Sequence, residues 1–352
     1  MRTGTVHLDN LDATLAIDAE RARGLPGVSA FAYLLYNNDA SLSGDYVKDA
    51  MTVSNIDAPE AVRLYEAWLQ WESSATHGFS LRFGWYDLNS EFDVNDSRAL
   101  FINSNHGVGH ELGQTGANGP SIFPVTSLAV RAAWSSAPSW RVLAAVFDGV
   151  PGDPDHPSSN RIQICGDEGA VGIVELQWAG ERVTKLSLGH WRYSAEFEDI
   201  RSAQNEGFRP RNDNRGTYAA VEVALDGSRS ADPATLGFVR YGVANDRINE
   251  FADSWGVGIR RRGVFAARPH DEFGIAYGRT RVSDAVRRFG ALTGQLRDID
   301  ESGVELTYRA AITDWLTVQP DIQYIVNPSA DRALDDSLAI GLRLEFSAAM
   351  RR

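Results

Sequence analysis

Two histidines and a glutamate are the first residues in this sequence whose types and spacing suggest chemistry. His106 and His110 are four residues apart and Glu111 follows directly, so a helix would place two metal ligands on one face. However, Gly107 and Gly109 would interrupt a helix, and no glutamate directly follows the first histidine as it does in zinc proteases. The pattern therefore favours a loop without a metal.

Three aspartates, Asp148, Asp153 and Asp155, form the second candidate, because carboxylates that are close in sequence can bind calcium. Their spacing differs from that of a calcium-binding loop, and Pro151 and Pro154 favour a rigid turn instead. We therefore interpret this segment as an external turn.

Nucleophilic catalysis would need a serine and a histidine that face the same way. His190 and Ser187 lie in one predicted strand but in opposite phases, which separates them. Cys165 is the only cysteine, so an internal disulfide and a closed thiolate metal site are excluded. The sequence thus predicts neither an enzyme nor a cofactor.

The composition argues against nucleic acid as a partner and against membrane-spanning helices. The net charge is -13 and the pI is about 5.0, which is unfavourable for binding a polyanion. No segment approaches the ~20 consecutive apolar residues of a membrane helix. All of the 34 basic residues except Lys48 and Lys185 are arginine, which suits oxygen-rich ligands, although a GC-rich genome would give the same bias.

The last strand shows the pattern that organises the chain. Apolar residues alternate with polar or small ones, so that Leu342 and Leu344 point one way and Arg343 and Glu345 the other. A soluble sandwich with one solvated face would alternate in the same way. A barrel in lipid with a wet lumen also requires this alternation, along its whole length.

The same rule predicts about fifteen strands along the chain. They cover residues 4–18, 28–38, 61–71, 79–86, 127–134, 140–147, 169–178, 183–193, 215–225, 236–244, 254–264, 271–280, 304–312, 316–326 and 337–346. The links between them alternate between short and long. Outer-membrane barrels have short periplasmic turns and long external loops, so this alternation favours an all-β, transmembrane antiparallel β-barrel that forms one domain over residues 1–352.

The number of strands raises an expectation about the start of the chain. If the final strand runs toward the periplasm, then the first of the fifteen strands also runs toward the periplasm, because neighbouring strands are antiparallel. A single-chain bacterial barrel has an even number of strands, so one strand is missing from this count. We therefore expect one further N-terminal strand and a signal peptide to precede Met1.

The residues in the inward phase include both acidic and basic side chains. Such a mixture suits a neutral polyol, because carboxylates accept hydrogen bonds from sugar hydroxyls and arginines donate hydrogen bonds to them. The longest link, residues 87–126, is expected to fold into the lumen as the constriction. Trp68 and Trp191 point inward, either as stacking surfaces for a sugar ring or as packed wall residues. The predicted pore-lining and substrate-binding residues are Glu66, Trp68, Gln70, Arg82, Tyr86, Asn103, Asn105, Glu175, Trp191, Arg240, Arg260, Glu305, Arg309, Asp321, Gln323 and Arg343.

Five segments resemble the carbohydrate-selective porins of the OprB family. They are LYEAWLQ at 64–70, SLRFGWYDLNSEF at 80–92, the run from LFINSN at 100 to GPSIFPVTSLAVR ending at 131, FDGVPGDP at 147–154 and ITDWLTVQPDIQYIVNP at 312–328. The resemblance implies a sixteen-stranded outer-membrane barrel of Gram-negative bacteria that passes monosaccharides such as glucose by passive diffusion, as a monomer or a homotrimer surrounded by outer-membrane lipid. A porin for other small polar or anionic solutes and a soluble all-β binding module are the alternatives.

Overall fold

A computed structural model describes residues 3–73, 78–136, 139–153, 156, 159–162, 169–202, 210–227, 234–293 and 297–350. Asp155 and Cys165, which the sequence analysis considered as ligands, lie outside the described residues.

Fifteen strands form one antiparallel sheet, and each strand pairs with the next one along the chain. The strands are β1 Asn10–Asp18, β2 Val28–Asn37, β3 Ala61–Glu72, β4 Phe79–Tyr86, β5 Ser127–Ser136, β6 Trp140–Asp148, β7 Ala170–Trp178, β8 Val183–Tyr193, β9 Arg215–Ala224, β10 Thr235–Ala244, β11 Phe251–Arg262, β12 Glu272–Val282, β13 Asp300–Thr313, β14 Leu316–Val326 and β15 Ser337–Phe346. Phe197–Glu198 and Pro210–Arg211 form a separate two-residue ribbon. The fifteen predicted strands are therefore confirmed.

The largest difference from the predicted strand bounds lies in β1, which begins at Asn10 rather than at residue 4. Asn10 pairs with Asn37, the last residue of β2, so the residues before Asn10 have no neighbouring strand there to pair with. An additional strand before Met1 stays a prediction.

The two faces of the sheet differ in the way that the period-two pattern predicts. On β15, Leu338, Ile340, Leu342 and Phe346 are exposed, with Ile340 exposed to 71%, whereas Ala339 between them is buried. A β-bulge in β3 lies between the pairs Tyr33–Glu66 and Leu34–Leu64, and shifts the phase of that strand by one residue. One face of the sheet is thus apolar and exposed, and the other is polar and covered.

Short helices occupy some of the links. They are α1 Ala19–Arg23, α2 His110–Gly113 and α3 Asp284–Thr293, together with the π-helical turn Ser43–Val47 and 3-10 turns at Leu88–Ser90, Arg98–Leu100, Ser104–His106 and Pro328–Ala330. The sequence analysis did not predict α3, in which Ala285 is buried and Val286 packs against Phe251 and Val282. No helix in the described part of the chain has the length and apolar character to cross a membrane.

The largest hydrophobic cluster lies between the polar face of the sheet and the long link 87–126. Leu88, Phe92 and Leu112 of the link pack against inward residues of β4 to β9, such as Leu143 and Trp191. The same link places Leu100 and Phe101 against Phe238 of β10 and Ala276 of β12. One segment of forty residues contacts so many strands on one face because the sheet wraps around it.

Candidate functional site

A buried charge network fixes the link 87–126 to the wall. Arg240 of β10 directs one guanidinium nitrogen, Nη2, at Asp93 Oδ2 at 2.8 Å and at Glu111 Oε1 at 2.6 Å. Arg98 Nη1 lies 2.8 Å from the other oxygen of Asp93, and Ser254 donates to Glu111. All five side chains are buried, so each charge depends on its partners in the network.

Carboxylates of the wall hold the backbone of the same link. Glu175 accepts from the amide of Asp93 at 2.8 Å, and Glu222 accepts from the amide of Ser97 at 2.6 Å. Glu305 accepts from the amides of residues 102 and 103 at 2.6 and 3.0 Å. These carboxylates satisfy backbone donors that would otherwise be buried without a partner.

The link 39–60 is held in the same manner. Glu301 accepts from the amides of Ala50 and Met51, both at 2.7 Å. Gln323 donates to the carbonyl of Val53 at 2.7 Å, and Arg343 donates to Asn55 at 2.6 Å. Two links therefore line the inner face of the sheet.

The ionisable groups of the link 87–126 are tuned by burial and by arginine. Burial alone would raise the pKa of Asp93, but the guanidiniums of Arg240 and Arg98 outweigh it and lower the pKa to about 2. Burial, together with the charge of Arg98, lowers the pKa of His106 to about 3, and burial with Arg297 does the same for His110. Both histidines are therefore neutral near pH 7.

Acidification below pH 4 is expected to loosen the link 87–126. The folded-state pKa of Asp93 lies below its ordinary value of 3.8, so the carboxylate adds stability that is complete above about pH 4 and is lost as the pH falls through about 2. A pKa change of this size corresponds to roughly 2 kcal/mol. Single-channel current noise, recorded in planar bilayers from pH 5 down to pH 2, should increase in that window.

The matched variant for this experiment is Asp93→Asn. At pH 5 it should already show the increased current noise that the wild type shows only at low pH. A quiet Asp93→Asn channel at pH 5, or a wild-type channel that stays quiet at pH 2, would contradict the role of this carboxylate.

An aromatic strip crosses the inner face of β2, β3 and β4. The rings of Phe31 and Trp68 are stacked with centroids 5.2 Å apart, and the guanidinium of Arg82 lies 3.9 Å from the Trp68 ring and 4.7 Å from the Tyr86 ring. Phe31, Trp68 and Arg82 are half-buried, and Tyr33 continues the strip at 6.4 Å from Phe31. The strip thus combines an aromatic surface with hydrogen-bond donors.

Polar groups border this strip. Trp68 donates to Glu66 at 2.7 Å, and Arg82 donates to Gln70 at 2.9 Å. Glu91, from the link 87–126, faces three arginines: Arg131 at 2.7 Å, Arg141 at 2.7 Å and Arg82 at 3.6 Å. The cluster carries more positive than negative charge.

The predicted site residues separate into groups. Glu66, Trp68, Gln70, Arg82 and Tyr86 come together at the aromatic strip.

Asn103, Glu305, Asp321 and Gln323 meet where the link 87–126 contacts β13 and β14, and Asn105 lies buried beside them.

The other predicted residues contact the links or neighbouring strands at other places on the wall. Glu175 and Arg240 hold the link 87–126. Arg260 pairs with Glu272, Arg309 pairs with Glu345 at 2.9 Å, and Arg343 contacts the link 39–60.

Trp191 faces inward as predicted, but its side chain is fully buried in the cluster beneath the link 87–126. The side chain therefore has no exposed surface for a sugar ring, and packing accounts for it.

Sequence reasoning missed several residues. Arg131 and Arg141 follow the period-two rule on β5 and β6, so the pattern contained the signal for them. Phe31 and Tyr33 lie inward on β2, where aromatic residues occur in both phases and give no contrast. Glu111 was interpreted as part of an inert loop, yet it binds Arg240.

The other chemical candidates have structural explanations. Glu111 is engaged by Arg240 and Ser254, and within the described ranges no group of three or more histidine, cysteine or acidic side chains has the geometry to hold a metal. His190 is exposed and bonds Thr217 at 2.9 Å, whereas Ser187 is buried on the opposite face. The predicted separation of this serine from this histidine is confirmed.

An outer cavity of about 770 Å³ lies at the end of the sheet where the long links meet. It is lined by Ala50, His110, Gln114, Glu250, Phe251, Arg297, Ser329, Asp331, Arg332 and Ala333. Its volume falls in the range of small-molecule binding cavities.

Comparisons with known proteins agree with this architecture. The family model of carbohydrate-selective porins, the OprB family, matches residues 2–347. Porin B of Pseudomonas aeruginosa is 24% identical over 96% of this chain and 81% of its own length. A putative porin of Acinetobacter baylyi, QuiX, is 21% identical over 94% of this chain and 80% of its own length.

The high-pH structure of OprB from Pseudomonas putida has the same fold, with a TM-score of 0.82 at 20% sequence identity. The superposition covers 96% of this chain and 87% of that chain. The predicted barrel fold is therefore confirmed, and the soluble sandwich is excluded. The chain belongs to the OprB family of carbohydrate-selective porins, which are outer-membrane channels and not enzymes.

Proposed function

We propose that this porin passes monosaccharides such as glucose by passive diffusion, and that the sugar is selected at the aromatic strip by Phe31, Tyr33, Trp68 and Arg82. Tyr86 is fully buried and supports Arg82 from within the wall. A sugar presents apolar C–H groups on its ring face and hydroxyls around its edge. The half-buried rings suit the ring face. Glu66, Gln70 and Arg82 suit the hydroxyls, because they offer both acceptors and donors.

The narrowest point is proposed to lie between this strip and the link 87–126. Glu91 of the link pairs with Arg82 of the strip at 3.6 Å and with Arg131 at 2.7 Å, so the link lies directly beside the strip. Each contact in a wet lumen contributes about 1 kcal/mol, which allows release as well as binding.

The fully buried wall residues have a different proposed role. Glu175, Arg240 and Glu305 have their polar atoms occupied by the link 87–126. We propose that they shape the channel by holding the link, while Arg260, Arg309 and Arg343, which are partly exposed, line the remaining wall.

A channel for anionic solutes is the second candidate, and the charge around Glu91 favours it. Three arginines surround this single carboxylate, and their field would attract anions to the constriction. The reversal potential in a KCl gradient separates the two candidates. Strong preference for chloride would favour the anion channel, whereas weak ion selectivity with block by glucose would favour the sugar channel.

The test of the proposed function is block of the ion current by sugars in planar bilayers. Glu66→Ala and Arg82→Ala should each weaken the block by glucose about fivefold, because each loses one hydrogen bond of about 1 kcal/mol. The block by an acyclic hexitol, which has no ring face, should be weak in the wild type.

Arg261→Ala is the matched control, since Arg261 lies on the other face of β11 and bonds Thr235. Unchanged ratios of glucose to hexitol block in both strip variants would remove Glu66 and Arg82 from the selection site.

A further inference from the structure

Two arginines lie side by side on the lipid-facing side of the barrel. Arg192 of β8 and Arg215 of β9 are directly opposite in the antiparallel register, and both are exposed. Leu186, Leu188 and His190 share their face on β8 and are exposed, and His190 bonds Thr217 of β9 at 2.9 Å. The pair therefore continues the surface that contacts lipid, at the end of the strands where the long links begin.

The pair lies at the ends of β8 and β9 that enter the long links: Arg192 is the next-to-last residue of β8 and Arg215 is the first residue of β9. Long links of bacterial barrels face outward. Arginine side chains near the end of a membrane-spanning segment extend toward the headgroups. The two guanidiniums are thus within reach of the outer headgroups.

Other arginines at this rim have carboxylate partners. Arg281 pairs with Asp253, and Arg279 pairs with Asp300. Within the described part of the chain, neither Arg192 nor Arg215 has a carboxylate at ion-pairing distance, and Arg192 donates only to the carbonyl of Asn212 at 3.2 Å.

Like charges that are directly opposite across two strands destabilise a sheet. An anion between the two guanidiniums would remove this repulsion, and arginine binds phosphate through two parallel hydrogen bonds. The outer leaflet of a Gram-negative outer membrane consists of phosphorylated glycolipid. Its acyl chains would lie along the apolar surface of Leu186, Leu188 and Val174, which are all exposed on this face.

We propose that Arg192 and Arg215 form a binding site for the phosphate of an outer-leaflet glycolipid. The site lies on the outside of the barrel and is independent of the solute pathway. It fixes one lipid to the wall formed by β7, β8 and β9.

The experiment measures lipid retained by the full-length purified barrel. Wild type and Arg192→Gln/Arg215→Gln are reconstituted with bisphosphorylated lipid A or with lipid A that lacks phosphates, and bound lipid is quantified by native mass spectrometry. The wild type should prefer the phosphorylated form, and the double variant should retain about thirtyfold less of it, since each of the two arginines near a headgroup contributes about 1 kcal/mol.

Arg261→Gln is the matched control, because it removes one lipid-side arginine at the opposite rim, and it should retain lipid like the wild type. Heat-modifiable gel migration verifies that each variant is folded. Equal retention by wild type and double variant, or an equal loss in Arg261→Gln, would overturn the proposal. So would saturable binding of inorganic phosphate to the wild type without any preference for the phosphorylated lipid.

Discussion

Arg240→Met is expected to release the link 87–126 and to increase the conductance of the channel. Arg240 is the shared cation for two buried carboxylates, Asp93 and Glu111. Its loss leaves both without their main partner, and breaking a buried ion pair on one side costs about 3–5 kcal/mol. The link has no comparable alternative anchor for these two groups, so it should leave the wall for part of the time.

Single-channel conductance and hydrogen exchange of residues 87–126 measure this effect. Conductance should rise and amides of the link should lose protection, whereas amides of the sheet should keep theirs. Arg309→Met is the matched control, since Arg309 is an inward arginine that pairs with Glu345 of β15 at 2.9 Å and is only partly buried.

A companion variant separates loss of the anchor from general misfolding. Arg240→Met combined with Arg98→Met, Asp93→Asn and Glu111→Gln removes all four charges of the network, including Arg98, which would otherwise lose its partner Asp93, and replacing all charges of a buried network is far less costly than removing one. The quadruple variant should therefore regain much of the protection of the link. Unchanged conductance and protection in Arg240→Met would show that the network does not hold the link.

The fold could be predicted from the sequence because its signal is local. Alternation between apolar outward residues and polar inward residues is visible within each strand, and the alternation of short and long links indicates the topology. Even the shift of phase in β3 is visible, since Val62 and Leu64 point outward at even positions and Leu69 and Trp71 at odd ones. Arg63 and Tyr65 were not predicted to point inward. A strict period of two that starts from the inward Glu66 and runs toward the N-terminus places both of them on the outward face.

The site could be predicted only in part, because its contacts are distant in sequence. The inward phase correctly included Arg240, but its partner Asp93 is 147 residues away and lies in a link with no periodic pattern. Phase indicates which residues point inward and does not indicate which of them a link covers. This is why Glu175, Trp191 and Glu305 were predicted to contact the solute, although packing and hydrogen bonds with the link account for them.

Val239→Arg should destabilise the barrel by about 2–4 kcal/mol. Val239 is exposed on the apolar face in the middle of β10, and its paired neighbours are Val221 and Val257. A guanidinium there would be forced into hydrocarbon, and the cost of such a charge is greatest at the middle of the membrane. The free energy of unfolding by urea in phospholipid vesicles provides the measurement.

Val243→Arg is the control, because it introduces the same substitution on the same face at a different depth in the membrane. Val243 lies on the same face of β10, next to the last residue of the strand on the side of the long links, so the new arginine would reach the headgroups and cost only about 0–1 kcal/mol. Equal costs at both positions would mean that the valine face does not cross a membrane, because a water-exposed face has no depth. A cost that is large at Val239 and small at Val243 requires hydrocarbon on the outside of this wall, which is the condition for the polar inner face to be a channel.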